Sequence, residues 1–209
     1  MSIFQRILSA SDVEHFATDL LQKWSSTYIA EVERQHGMDG TELPRIRSWS
    51  TVNTFENWPA DQLPASLLIS TGTVGAPSRS GDGEYTASFA LGVAVICASN
   101  NASRSNELAK LYIAAHRAIL VQRPSLERGA FGVDWLGDDF TDLAAEDGRF
   151  LSAGMAEFVV EMRDVVHAKA GPTTPDDPSD DPWPNWPLTE TVDIEVEKVA
   201  TDESLPVAD

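Results

Sequence analysis

Residues 84–99 read Glu-Tyr-Thr-Ala-Ser-Phe-Ala-Leu-Gly-Val-Ala-Val-Ile-Cys-Ala-Ser, and this stretch decides the fold class. Tyr85, Ala87, Phe89, Leu91, Val93, Val95 and Cys97 recur at every second position, so an extended chain puts them on one face. The other face starts polar at Glu84, Thr86 and Ser88 and turns apolar at Ala90, Ala94 and Ile96. At about 3.3 Å per residue such a strand reaches about 50 Å, well beyond the usual length.

Upstream of it, the loop-like run Gly72-Thr73-Val74-Gly75-Ala76-Pro77-Ser78-Arg79-Ser80-Gly81-Asp82-Gly83 follows a short apolar strand at Ser66–Thr71. A further strand is expected around Arg45–Phe55, bounded by Pro44 and Pro59. Before that, Val13, Phe16, Ala17, Leu20, Leu21, Trp24, Tyr28 and Val32 recur at three- and four-residue steps, the period of an amphipathic helix. Ser11 with Glu14 fits a capping box, and Gly37 supplies a stop.

Downstream, Asn101 or Ser103 caps a second helix whose inner face carries Leu108, Leu111, Tyr112, Ala115 and Ile119, and which ends before Pro124. Phe131, Val133 and Trp135 alternate in a short strand. Leu151–Val166 is a long one, in which the apolar parity changes from odd (Leu151, Ala153, Met155) to even (Phe158, Val160, Met162). A β-bulge near Met155–Ala156 would absorb that change. The order α-β-β-β-α-β-β defines an α+β fold: a mixed, largely antiparallel sheet with long strands, packed by two helices.

The composition shifts near residue 170, dividing the chain into a body (1–170) and an acidic tail (171–209). The tail holds seven of the twelve prolines and eleven acidic residues against Lys198 alone, so it carries −10 and the body −8 of the net −18. Such a segment buries too little apolar surface to offset its ordering entropy and is expected to be extended. Two of its features are specific. Trp183-Pro184-Asn185-Trp186-Pro187 sets two large aromatics where nothing local can bury them, and Val192-Asp193-Ile194-Glu195-Val196 alternates strictly. Trp183, Trp186, Val192, Ile194 and Val196 are therefore candidates for docking, either on a neighbouring subunit or back on their own body.

Charge and motif content exclude several classes. The pI near 4.4 argues against nucleic-acid binding, which needs clustered Lys and Arg. One cysteine allows no internal disulfide and no cysteine-based metal cluster. Cys97 on the apolar face of the strongest strand is expected to be buried and inert. The Gly72–Gly83 run lacks the Gly-Lys-Ser/Thr ending and the following helix of a phosphate cradle, though Arg79 at its tip is a candidate contact. His15, His36, His116 and His167 lie far apart without ligand spacing, and His116 is expected on the flank of its helix. Asp138, Asp139, Asp142, Glu146 and Asp147 read as a solvated acidic loop rather than an acid–base pair or a calcium loop. No catalytic residue, cofactor or metal is expected. The N-terminus lacks a signal-peptide pattern, and Ala87–Ala98 is about half the length that spans a bilayer.

This element order, with the run Asn57-Trp58-Pro59-Ala60-Asp61-Gln62-Leu63-Pro64 before the second strand, resembles the tail terminator proteins of long-tailed, siphovirus-like bacteriophages over roughly residues 10–166. The resemblance implies a structural virion protein without catalytic residues. It would form a ring, typically a hexamer of itself, on the last ring of the tail tube protein and offer the surface to which head–tail connector proteins join. It also implies residence in the virion at the head–tail interface after assembly in the host cytoplasm, a lumen through which DNA passes unbound, and no membrane partner. Three other readings remain open: a neck or head-completion protein, a small hydrolase or nucleotide-binding enzyme using the Gly72–Gly83 run and the acids near Asp138, and an adaptor whose tail is a peptide ligand.

Overall fold

In a computed structural model, residues 7–40, 42–51, 59–123, 130–143 and 148–168 are described. The element order is α1 (Ala10–Gln35), β1 (Ser48–Ser50), a 3₁₀ turn (Ala60–Gln62), β2 (Ala65–Arg79), β3 (Tyr85–Ser99), α2 (Ala102–Gln122), β4 (Ala130–Asp142) and β5 (Phe150–Met162). The strands form one sheet in the order β1-β2-β3-β5-β4, antiparallel except for the parallel β1–β2 pair. The expected α+β architecture, two helices on a mixed sheet, is the one observed.

The stretch from Tyr85 to Ser99 is the central strand. Its odd-numbered side chains, Ala87 through Cys97, are buried under the helices together with Phe158, Val160 and Met162 of β5. Each fully buried side chain of this size contributes about 1.5–3 kcal/mol. Helix α2 lies across β3, β5 and β4, and α1 packs beside it against β2. Tyr112, buried in α2, donates its hydroxyl to the carbonyl of Pro44, tying the segment before β1 to the helix layer.

Five expectations need correction. The cap of α1 is Ser9, two residues earlier than Ser11: the Ser9 amide and hydroxyl both donate to Asp12 Oδ2 at 2.8 Å. Glu14 instead reaches the sheet, where its Oε1 accepts from the Ser70 amide at 2.8 Å. Of the strand expected over Arg45–Phe55, only Ser48–Ser50 is strand among the described residues, and residues 52–58 lie outside them.

The glycine-rich run is strand rather than loop for most of its length. β2 continues to Arg79, paired with β3 down to Tyr85, and only Ser80–Glu84 turn. Gly72 and Gly75 sit at positive φ (116° and 72°), beside or within the two register shifts of β2. They mark bulges, not a phosphate-binding turn.

The acidic run after Trp135 is likewise strand: Asp138, Asp139 and Asp142 belong to β4, paired with Ala156, Met155 and Ser152. Glu146 and Asp147 lie outside the described residues. Finally, β5 carries no bulge against β3, its register running unbroken from Phe150 to Met162. The parity change arises because β5 is apolar on both faces. Ala156, Phe158, Val160 and Met162 meet the helix layer, whereas Ala153, with Leu151 against it, joins Leu63, Ala65 and Ile96 in a small second cluster. The bulges lie in the neighbouring β4, between Ala130 and Gly132 and between Trp135 and Gly137.

Candidate assembly surface

The distal half of the β2–β3 hairpin is the least buried part of the sheet. Ala65–Leu68 are buried, but every residue from Thr73 to Arg79 is exposed, Val74 to 47%. β1 covers only Ala65–Leu67, and Glu14 occupies the Ser70 amide. Beyond that point no described strand lies alongside β2, which leaves a β edge of the kind that pairs with another chain.

The hairpin is nonetheless well held. The Ser80 amide donates to Glu84 O at 2.9 Å and the Gly83 amide to Ser80 O at 3.1 Å. Ser80 Oγ donates to Asp82, holding that carboxyl below its ordinary range. The Tyr85 amide donates to Val166 O at 2.9 Å and the Val165 amide to Tyr85 O at 2.8 Å, extending support along the other side of β3. Arg79, the one candidate contact foreseen on this run, ends β2 with its guanidinium carbon 5.8 Å from the centroid of Tyr85.

The opposite edge, β4, is built differently. Trp135 is 46% exposed and Leu136 64% exposed, side by side at a bulge where Trp135 is in register with Phe158 of β5 and Leu136 is skipped before Gly137 meets Glu157. The indole is fixed on three sides. Its Nε1 donates to Asp138 Oδ1 at 2.9 Å, Arg117 of α2 pairs with the other oxygen of Asp138, and the Arg117 guanidinium stacks 4.4 Å from the indole centroid. Asp134 and Asp139 are exposed on the same strand. Bulges and repeated carboxylates guard an edge against strand addition. The two edges of this sheet are thus unequal, one open and one guarded.

The face of the sheet away from the helices carries a groove of about 390 Å³. Leu67 and Ile69 form one wall, Met155, Glu157 and Leu136 the other, and Gly92 lies between, paired with Ile69 and Glu157. The signal for this groove was present in the sequence, where the polar face of β3 turns apolar beyond Ser88. Leu136 and Trp135 as an exposed pair left no such signal, because the bulge that exposes both is set by pairing.

The remaining chemistry-bearing residues are structural. Cys97 is buried and its thiol is pushed up by desolvation, as expected of an inert cysteine. His116 departs from the expected flank position: it is fully buried, its ring centroid 5.7 Å from that of Trp49, and neither nitrogen has a partner. Burial lowers its pKa to about 4. Asp142 accepts from Asn106 Nδ2 (3.1 Å) and Ser152 Oγ (2.9 Å), which hold its carboxyl below the ordinary range and fasten the start of α2 to the sheet. Among the described residues no three His, Cys, Asp or Glu side chains gather to hold a metal, and no helix is long and apolar enough to cross a membrane. Trp183, Trp186, Val192, Ile194 and Val196 lie outside the described residues.

No family model matches the chain, and no curated protein matches it. Among solved structures, it is similar to a chain of the virion of a native gene transfer agent particle, at 18% identity and a TM-score of 0.40, over 63% of this chain and 91% of that one.

Proposed function

We propose that this protein is a non-catalytic structural component of a phage-type virion, acting as a tail terminator that closes into a ring. The observation that supports this reading is the β2–β3 hairpin, whose distal half stands outside the core with an open edge on β2. A strand edge left open among the described residues at one side of a sheet and a guarded edge at the other give a subunit two different surfaces. Head-to-tail contact between unlike surfaces generates a closed ring when the rotation permits. The architecture is also the one implied by the resemblance to tail terminators. In the assembled particle the ring would sit between the tube and the connector proteins and let DNA pass.

Negative-stain imaging with single-particle mass measurement tests this. Closed rings of uniform size are expected, and their loss on Val74→Lys, a change confined to the exposed part of β2, would assign the edge to the subunit contact. A strict monomer both alone and in the presence of preformed tail tubes would refute the ring.

A further inference from the structure

We propose that the groove on the helix-free face of the sheet is the seat of the chain's own C-terminal segment, with Trp183 and Trp186 entering it intramolecularly. Among the described residues nothing fills this groove, although its walls are Leu67, Ile69, Leu136 and Met155 and its floor is Gly92. An apolar hollow of this size left to water is unfavourable at about 25 cal/mol per Å² of apolar surface.

The length and starting point of the remaining chain select the occupant. The last described residue, Ala168, donates its amide to Gly83 O at 2.9 Å, so the tail departs from the turn end of the hairpin. Gly92 lies nine positions along β3 from Gly83, about 30 Å of strand. The chain from Ala168 to Trp183 is fifteen residues, about 50 Å when extended, and its prolines favour extension. The first tryptophan therefore reaches its own groove with slack to round the sheet.

The chemistry matches as well. Indole rings combine the largest apolar area with one N–H donor that requires an acceptor when buried, and the Glu157 carboxylate on the groove wall offers one. The flanking acids of the segment then remain in water along the rim.

Hydrogen–deuterium exchange on the full chain decides the matter. Amides of 183–196 are expected to exchange at least tenfold more slowly than an unstructured peptide of that sequence, with no change on tenfold dilution. Gly92→Val fills the floor: a Cβ at 92 meets only ordinary contacts, Ile69 O at 3.8 Å and Met155 Sδ at 3.9 Å. That variant should bring 183–196 to the unstructured rate while leaving the amides of α2 unchanged. Leu136→Asp, at a largely exposed site, should do the same and serves if Gly92→Val does not fold. The proposal is overturned by unstructured exchange of 183–196 in the native chain, by protection that survives both variants, or by protection lost on dilution, which would seat the segment on a second copy. Slow exchange at 52–58 that is released by the groove variants, in place of 183–196, would overturn it in favour of that segment.

Discussion

His116 makes this fold sensitive to acid. Its imidazole is fully buried beside Trp49, with neither nitrogen hydrogen-bonded, so the neutral form is required in the folded chain. The folded pKa of about 4 lies below the ordinary 6.5, so the unfolded chain binds the proton first as pH falls. The contribution of His116 to stability is therefore undiminished above pH 6.5 and declines between 6.5 and 4, by about 3 kcal/mol in all at about 1.4 kcal/mol per unit. Urea titrations at pH 7 and pH 4.5 should show this decline, and His116→Leu should flatten that part of it. Gly154 is the second such residue. A Cβ there would fall 2.7 Å from Ile113 Cγ1 and 2.9 Å from the Phe140 ring, inside any tolerable contact. Gly154→Ala is expected to destabilise by about 1–3 kcal/mol through overpacking where α2 crosses β5, measured as a lower urea midpoint.

At the scale of elements, the hairpin formed by β2 and β3 divides into a buried half and a projecting half, and substitutions should read out accordingly. Gly75 holds a left-handed conformation (φ 72°) with nothing within 4 Å of a built Cβ, so the obstacle to a side chain there is backbone strain alone. Gly75→Val should cost about 1–2 kcal/mol. Because the residue lies outside the core, the loss is expected as faster amide exchange at Tyr85–Ser88, with the global urea midpoint nearly unmoved. A matching fall in global stability would show that the hairpin folds cooperatively with the body. The contrast with β4 is instructive: there, the Arg117–Asp138–Trp135 cluster couples the edge strand to α2 directly.

At the scale of the whole molecule, charge bears on the proposed ring. With a net charge of −18, like subunits repel, and salt shortens the range of that repulsion from about 10 Å at 0.1 M to about 3 Å at 1 M. The proposed self-association through the hairpin edge should therefore strengthen between 0.02 and 0.5 M sodium chloride, a rise in weight-average mass that light scattering records. A fall in mass over the same range would place opposite charges at the centre of the subunit contact instead.

What the sequence determined by itself follows from periodicity. The alternation of Tyr85 through Cys97 and the three- and four-residue spacing of Val13 through Val32 dictate which side chains share a face, and hence an α+β body with two helices and long strands. Local chemistry also set the start of α2, where Asn101 Oδ1 accepts from the Arg104 amide at 3.3 Å. Tertiary pairing decided the rest. Gly72–Arg79 and Asp138–Asp142 look like loops in isolation because glycine and aspartate disfavour strands, yet β3 and β5 supply ladder partners that outweigh those preferences. The same pairing buried His116, placed the bulges in β4 rather than β5, and left one edge and one groove of the sheet uncovered among the described residues. Propensity acts residue by residue, whereas register and burial are set only when distant strands meet, and the surfaces on which the proposed assembly rests are products of that meeting.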